Sequence, residues 1–309
     1  MGLILENVSK TFIDQKAVDN ISFKIDKPGV FALLGTNGAG KTTTIRMMLG
    51  IIKKDTGTIT WNGKAVDRKN VKFGYLPEER GIYPKTKIVD QLEYLAKLKG
   101  MSKLEADESI DYWLDKLKMT EYKFQTAEKL SKGNQQKIQF ITAVMHNPEL
   151  VVLDEPFSGL DPVNTELLKN IILELVDEGK YIVMSSHQMN SVEEFCQDVV
   201  ILNKGKTVLK GNLNEIKDSY KVNKIEIDTK LDISQLIKDK GLEIKEQTDR
   251  KYIVAIKNEE QANELLEEIV NRKIPINKFE LIRPTLHEIF IEKVGEQEWE
   301  IYLQLQNLR

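Results

Sequence analysis

The sequence predicts an α/β protein built on a parallel sheet, with a β region before it, a helical insert within it and a small α+β unit after it. Three observations carry this. Short, wholly apolar runs (Val30–Leu34, Leu150–Leu153, Tyr181–Met184 and Val199–Leu202) alternate with helical patterns, as strands buried on both faces do. A glycine-rich stretch, Gly35 to Thr43, joins the first run to a helix-like segment. Beyond Gly211 the pattern changes to the order β-α-β-β-α-β, which suggests a small ferredoxin-like fold. A length of 309 residues suits two domains, drawn at 1–215 and 216–309.

Taken in order, Leu3–Leu5 and the alternating Ala17–Ile25 read as strands, and Pro28-Gly29 as a turn. Val30–Leu34 is the first buried strand, and Ile45–Leu49, closed by Gly50, is a helix. Thr58–Trp61 is a strand ending at the turn Asn62-Gly63, and Phe73–Leu76 is another, stopped by Pro77. From about 86 to 135 the apolar residues fall three and four apart, first Ile88, Leu92, Leu95 and Leu98, then Ile110, Trp113, Leu114 and Leu117, which marks the helical insert. Helix continues over 135–145 and returns at Glu166–Glu178 and Val192–Cys196; Asn203–Lys206 is a hairpin turn leading into Thr207–Leu209. Asn214–Tyr220 reads as a polar helical linker. The last part offers strands at Lys224–Asp228, Leu242–Lys245, Tyr252–Ile256 and Phe279–Ile282, with helices at Ile233–Asp239, Glu259–Asn271 and Pro284–Val294. Residues 297–309 fit a docking helix, a strand or a disordered end equally.

Composition narrows the function classes. Hydrophobic content of 41% with 30% charged residues fits a folded globular chain, and a net charge of −3 gives no basic excess for nucleic acid. The single cysteine, Cys196, has no partner for an intrachain disulfide and no cysteine cluster for a metal. The N-terminus enters a strand pattern without a signal-peptide core, and Glu6 stands where a myristoylation motif wants Ser or Thr. No apolar run approaches the roughly 20 residues of a membrane span.

The chemistry starts at Gly35-Thr36-Asn37-Gly38-Ala39-Gly40-Lys41-Thr42-Thr43, which satisfies G-x-x-x-x-G-K-[ST] between a strand and a helix. Small residues let backbone N–H groups approach phosphate oxygens, and the helix N-terminus adds partial positive charge. Lys41 would reach the β- and γ-phosphates, and the Thr42 hydroxyl would hold Mg²⁺. Downstream, the apolar strand Leu150–Leu153 delivers two carboxylates, Asp154 and Glu155, at its C-terminal end. Leu130-Ser131-Lys132-Gly133-Asn134 begins a helix, Ser158-Gly159-Leu160-Asp161 follows Glu155-Pro156-Phe157, His187 follows a strand and Ser185-Ser186, and Tyr75-Leu76-Pro77-Glu78-Glu79-Arg80-Gly81 precedes the insert. Of the other histidines, His146 sits at a helix end where a cationic ring suits the dipole, and His287 receives no chemistry.

In this order the motifs resemble the nucleotide-binding domain of ATP-binding-cassette (ABC) transporters over about residues 3–215. The resemblance implies a phosphate-loop ABC ATPase core with an N-terminal antiparallel β subdomain. It implies Mg²⁺ bound by Thr42, Asp154 and Glu78, water polarised by Glu155, and His187 as the switch histidine. Ser131, Gly133 and Asn134 resemble the family signature, usually Leu-Ser-Gly-Gly-Gln, from which Lys132 and Asn134 depart. Asp161 resembles the last residue of the D-loop, and also caps the following helix through Asp161-Pro162. Glu78 stands where the family usually has glutamine. Phe12 resembles the aromatic that stacks on adenine, with Val18 packing the same ring, although Phe12 as a core residue is the competing reading.

The family likeness further implies two copies paired head to tail, or one copy with a paralogous ATPase, each ATP lying between the phosphate loop of one and the signature of the other. It implies a separate integral membrane permease, a peripheral place on the cytoplasmic face of the membrane, and export of a small molecule, drug or ion. The wording around Glu78 and the C-terminal extension resemble the subset of bacterial drug- and sodium-exporter ATPases. Two rival readings stand beside this: a soluble ABC ATPase of translation or DNA repair, and a nucleotide-dependent regulator that does not hydrolyse ATP.

Overall fold

The computed structural model describes residues 2–66, 71–79, 81–187, 189–220 and 222–295, and in Asn190 and Ser191 the backbone only. Arg80 and the segment 297–309 therefore lie outside the described residues. Its contacts divide the chain between Gly211 and Asn212. The expected boundary after residue 215 would fall within the helix Leu213–Ser219.

In the first unit, β1 (Leu3–Phe12) and β2 (Gln15–Ile25) form an antiparallel hairpin. β3 (Gly29–Gly35) runs into α1 (Lys41–Met48), β4 (Thr56–Trp61) pairs antiparallel with β1, and β5 (Lys64–Ala65) folds back on β4. The β4–β5 turn is Asn62-Gly63, both at positive φ (50° and 78°), the conformation a tight hairpin needs. β6 (Phe73–Leu76) leads into the insert, α2 (Ile88–Leu98) and α3 (Lys103–Lys116), and then to α4 (Lys132–Val144). β7 (Leu150–Asp154), α5 (Pro162–Asp177), β8 (Tyr181–Ser186), α6 (Met189–Glu193), β9 (Asp198–Asn203) and β10 (Lys206–Asn212) complete the unit.

Two sheets result, in the orders β2-β1-β4-β5 and β10-β9-β3-β8-β7-β6. The pairings β3–β9, β3–β8, β8–β7 and β7–β6 are all parallel. β3, β7 and β8 are the apolar runs of the sequence, and their inner residues are buried because both faces are covered. One core joins the two sheets: Leu3, Leu5, Ile21 and Trp61 from the antiparallel sheet meet Phe31, Leu33, Val152 and Val183 from the parallel one, with Ile45 and Met48 of α1 between. β6 and α4 approach closely at Gly74, where a Cβ would stand 1.8 Å from the Ala143 carbonyl oxygen, so only glycine fits there.

The second unit opens with α7 (Leu213–Ser219) and continues β11 (Lys224–Asp228), α8 (Ser234–Asp239), β12 (Glu243–Gln247), β13 (Lys251–Ala255), α9 (Glu259–Asn271), β14 (Lys278–Ile282) and α10 (Leu286–Val294). Its sheet is antiparallel in the order β12-β13-β11-β14, the ferredoxin-like arrangement expected of the sequence. Ile225, Ile227, Tyr252 and Val254 pack against Leu236, Ile237, Ala262, Leu265 and Ile269. The opposite strand positions carry an ion-pair ladder in which Glu226 meets both Lys251 and Lys278 at 2.9 Å.

Candidate active site

The parallel register gathers the sequence motifs at one edge. Leu34 pairs with Ser186, Asp154 with Ser185, and Leu76 with Leu153. The loop after β3, Glu78 after β6, Asp154-Glu155 at the end of β7 and His187 after β8 therefore leave the sheet side by side at its C-terminal edge, where open α/β sheets hold ligands.

Gly40 precedes α1 at a φ of 100°, and a Cβ on it would come within 2.5 Å of the Ala17 carbonyl oxygen, so the loop requires glycine there. Lys41 is buried, and its Nζ donates to the loop's own carbonyls, Gly35 O at 2.8 Å and Thr36 O at 3.2 Å. Those bonds satisfy an ammonium that would otherwise be stranded. Burial pushes its pKa below the usual lysine value, and the charges of Glu155, Asp154 and Glu78 act in the opposite sense.

Asp154 is 1 % exposed. Its Oδ1 accepts a hydrogen bond from the Ser185 hydroxyl, while Oδ2 is buried without a hydrogen-bond partner among the described residues. Burial raises its pKa against the pull of the Ser185 and Thr42 hydroxyls, which face the same carboxyl. Glu155 adopts a φ of 52°, the left-handed region that a glutamate rarely enters. Its N–H donates to Ser185 O at 3.2 Å and to Ser185 Oγ at 3.3 Å, and its carbonyl accepts from Gln136 Nε2 at 3.4 Å. Its side-chain Oε1 accepts from the His187 N–H at 2.9 Å and lies 2.7 Å from His187 Nδ1, and Oε2 accepts from Ser186 Oγ at 3.4 Å. The Glu155 carboxylate raises the His187 pKa above the ordinary histidine value, against desolvation. Glu78 lies exposed at the rim; desolvation, then the charges of Asp154 and Glu155, raise its pKa.

The oxygens present fit Mg²⁺. A hydroxyl (Thr42) and carboxylates (Asp154, Glu78) are hard donors, and the buried Asp154 Oδ2 lacks a partner. No group of three His, Cys, Asp or Glu side chains among the described residues is arranged to hold a metal alone.

Ser131 is the N-cap of α4, its hydroxyl oxygen accepting from the Asn134 N–H at 3.2 Å, and both residues reach the surface. A Cβ on Gly133 would stand 3.1 Å from Gly159 O, so this loop packs against the segment Ser158–Asp161 of its own chain. Asp161 caps α5 by accepting from the Asn164 N–H at 2.9 Å. A cavity of about 580 Å³ opens beside Glu155 and His187, lined also by Phe157, Gly159, Leu160 and Lys169. Phe12 is not a core residue: it is 43 % exposed, with Lys10 Nζ 5.4 Å from its ring centroid. Val18 corrects the expectation set for it. The β2 alternation turns it inward to 0 % exposure, behind Gly40, so it braces the loop and offers no surface to a base. The His146 ring is a second correction: burial, then the Lys99 charge, lowers its pKa to about 4, so the ring is neutral rather than cationic. Sequence reasoning missed the grip of Ser185 on the Asp154 carboxylate and the Glu155 backbone N–H, and that of Gln136 on the Glu155–Pro156 backbone; the signal available was polar residues on otherwise buried strand and helix faces.

The ABC transporter family profile matches residues 18–158. A profile described as the C-terminal domain of ATP-binding protein DrrA1-3-like matches residues 211–294. The uncharacterized ABC transporter ATP-binding protein YhaQ of Bacillus subtilis is 49% identical over 95% of this chain and 98% of its own length. This chain belongs to the ABC transporter ATP-binding proteins. Within that family, the linearmycin resistance ATP-binding protein LnrL of Bacillus subtilis is 32% identical over 68% of this chain and 69% of its own. Among solved structures, an ATP-binding subunit of an ABC transporter superposes with a TM-score of 0.66 at 29% identity, covering 71% of this chain and 93% of that one. As an ABC ATP-binding protein the chain binds and hydrolyses ATP, and subunits of this family generally act as dimers with membrane permeases. No described helix is long and apolar enough to cross a membrane.

Proposed function

We propose that two copies of this chain pair head to tail on the cytoplasmic face of a membrane and hydrolyse ATP with Mg²⁺ to drive export of a small molecule, drug or ion through a separate permease. The observation that carries the reading is the Glu155 carboxylate, buried beside Lys41 and Asp154 and aimed by His187 from 2.7 and 2.9 Å. A carboxylate so held is placed to orient a water and take up its proton while the water attacks the γ-phosphate.

Each chain's own residues divide the work. Phe12 presents an open aromatic face to the adenine. Lys41 exchanges the Gly35 and Thr36 carbonyls for phosphate oxygens, leaving bonds it already makes rather than bulk water. Thr42, Asp154 and Glu78 hold Mg²⁺, which when bound offsets the charge of the phosphates. Ser131, Gly133 and Asn134 reach across to the nucleotide of the partner copy, and Asp161 lies along the seam. Residues 1–211 form this engine, with the insert at about 86–135 facing the permease; residues 212–309 are an accessory domain. The export direction is supported by the resistance function printed for LnrL.

The test is Glu155→Gln, which keeps the shape and removes the base. Steady-state hydrolysis is expected to fall at least roughly a hundredfold, in line with loss of a general base, with affinity for a fluorescent ATP analogue retained. Unchanged turnover would remove Glu155 from the chemistry and favour the regulator reading.

A further inference from the structure

Helix α4 carries two amides that are each 3 % exposed, Gln136 and Gln139. Three residues apart, they share one side of the helix. Gln136 Nε2 donates to Pro156 O at 3.1 Å and Glu155 O at 3.4 Å. Gln139 Nε2 donates to Glu79 O at 3.2 Å, and a Cβ built on Gly81 would stand 3.9 Å from the same nitrogen, so this side chain lies along the segment that carries Glu78. The amide orientation is fixed by chemistry, because the reverse would set two oxygens against each other. Gln139 Oε1 is buried and has no partner among the described residues.

We propose that Gln139 is a positioning residue for Glu78, so that one rigid helix sets both carboxylate-bearing loops against each other. Register supports this. Leu76 pairs with Leu153, so Glu78 and Glu155 each lie two residues beyond the paired positions on adjacent parallel strands. Among the described residues the β6–β7 ladder ends at Leu76, and Pro77 has no N–H to continue it. The Gln139 bond to the next peptide, at Glu79, supplies a restraint from outside the sheet. Because Gln136 and Gln139 sit on the helix whose N-terminus carries Ser131, any tilt of α4 moves the two loop backbones together.

The inference rests on Glu78 contributing to the Mg²⁺ site, and the experiment separates the two claims. Wild type, Gln139→Met, Glu78→Ala and the double variant are prepared as full chains. Each is titrated with Mg²⁺, reading both ATP hydrolysis and the Mg²⁺-dependent part of its affinity for a fluorescent ATP analogue. Methionine keeps the size, and the Glu79 carbonyl lies on an exposed residue that water can reach, so the variant is expected to fold; Gln139→Asn, which keeps the amide but cannot span the gap, is the second variant. Glu78→Ala should raise the Mg²⁺ needed for half-saturation. Gln139→Met and Gln139→Asn should each raise it roughly tenfold, as loss of a ligand-orienting contact does, with binding of the analogue in EDTA unchanged. In the Glu78→Ala background the Gln139 substitution should add nothing further. Equal factors in both backgrounds, or no shift from either Gln139 variant, would overturn the positioning role alone. An unchanged Mg²⁺ requirement in Glu78→Ala would overturn the Glu78 assignment and the inference with it.

Discussion

At the scale of single residues, the site is held by hydroxyls and backbone rather than by the charges it displays. Ser185 donates to Asp154 Oδ1, and its Oγ and carbonyl both receive the Glu155 N–H. That grip holds Glu155 in left-handed backbone, which costs about 1–2 kcal/mol for a residue with a Cβ. Ser185→Ala strips a buried carboxylate of its bond and is expected to cost about 1–3 kcal/mol in unfolding free energy. It should also slow hydrolysis roughly tenfold by releasing the Asp154 carboxylate and one acceptor of the Glu155 N–H; denaturant titration beside steady-state kinetics reads the two effects, and a loss of stability at full activity would confine Ser185 to packing. His187 gives a second test. Its pKa is raised by Glu155, so the charged contact favours the folded state below the unfolded value of about 6.5 and is lost as pH rises through the folded value. In nucleotide-free protein the difference in melting temperature between wild type and His187→Gln should be largest below about pH 6.5 and fade in alkali. A difference that grows with pH would mean the neutral ring is the favoured form.

At the scale of elements, α4 and β6 are packed so tightly that polar side chains between them become restraints. His146, just past α4, lies 3.1 Å from Phe73 O on β6 through Nε2, which fixes that nitrogen as the protonated one in the neutral ring. Its Nδ1 is buried without a partner among the described residues, and its pKa is lowered to about 4. The sign follows: protonation favours the unfolded chain, so the stability present above the unfolded pKa of about 6.5 is lost as pH falls towards 4. Wild type should lose about 1–3 kcal/mol more than His146→Gln across that window, solvent screening included; equal losses in acid denaturation would show that the ring titrates freely. The sequence could not announce this, because helix-end position suggests a dipole partner and says nothing of the carbonyl and Lys99 that meet the ring. The loops at the sheet's edge were legible for the opposite reason: phosphate binding dictates glycine, lysine and hydroxyl at fixed spacing, and that loop upstream gives meaning to Asp154-Glu155, which alone could equally end a strand. Gln136 and Gln139 were not legible, since an amide on a helix reads as a solvent face until the neighbouring loops are known. Val18 was misplaced because a motif names the neighbourhood of a base, while strand alternation decides which side chains face it.

At the scale of the molecule, the question is why a site so well furnished would need a second copy. Within one chain, Ser131 spends one lone pair on the Asn134 N–H and keeps its hydroxyl proton at the surface, at the start of a helix whose N-terminus carries partial positive charge. Gly133 is fitted against Gly159 of its own D-loop, so this surface cannot fold back onto its own Lys41 without parting from that segment. Donors aimed outward and braced from behind suit an anion arriving from another molecule, and two-fold pairing would use the surface twice. The prediction uses Glu155→Gln as the background in which ATP is not consumed. With ATP and Mg²⁺ this variant should sediment at twice the mass of the monomer. Adding Ser131→Arg puts a bulky side chain where the γ-phosphate of the other copy would sit, and should return the protein to monomer while each chain still binds the fluorescent analogue. A dimer that survives the arginine would place the signature away from the seam. Loss of nucleotide binding by the monomer would place Ser131 in its own site and leave the second copy without a catalytic role.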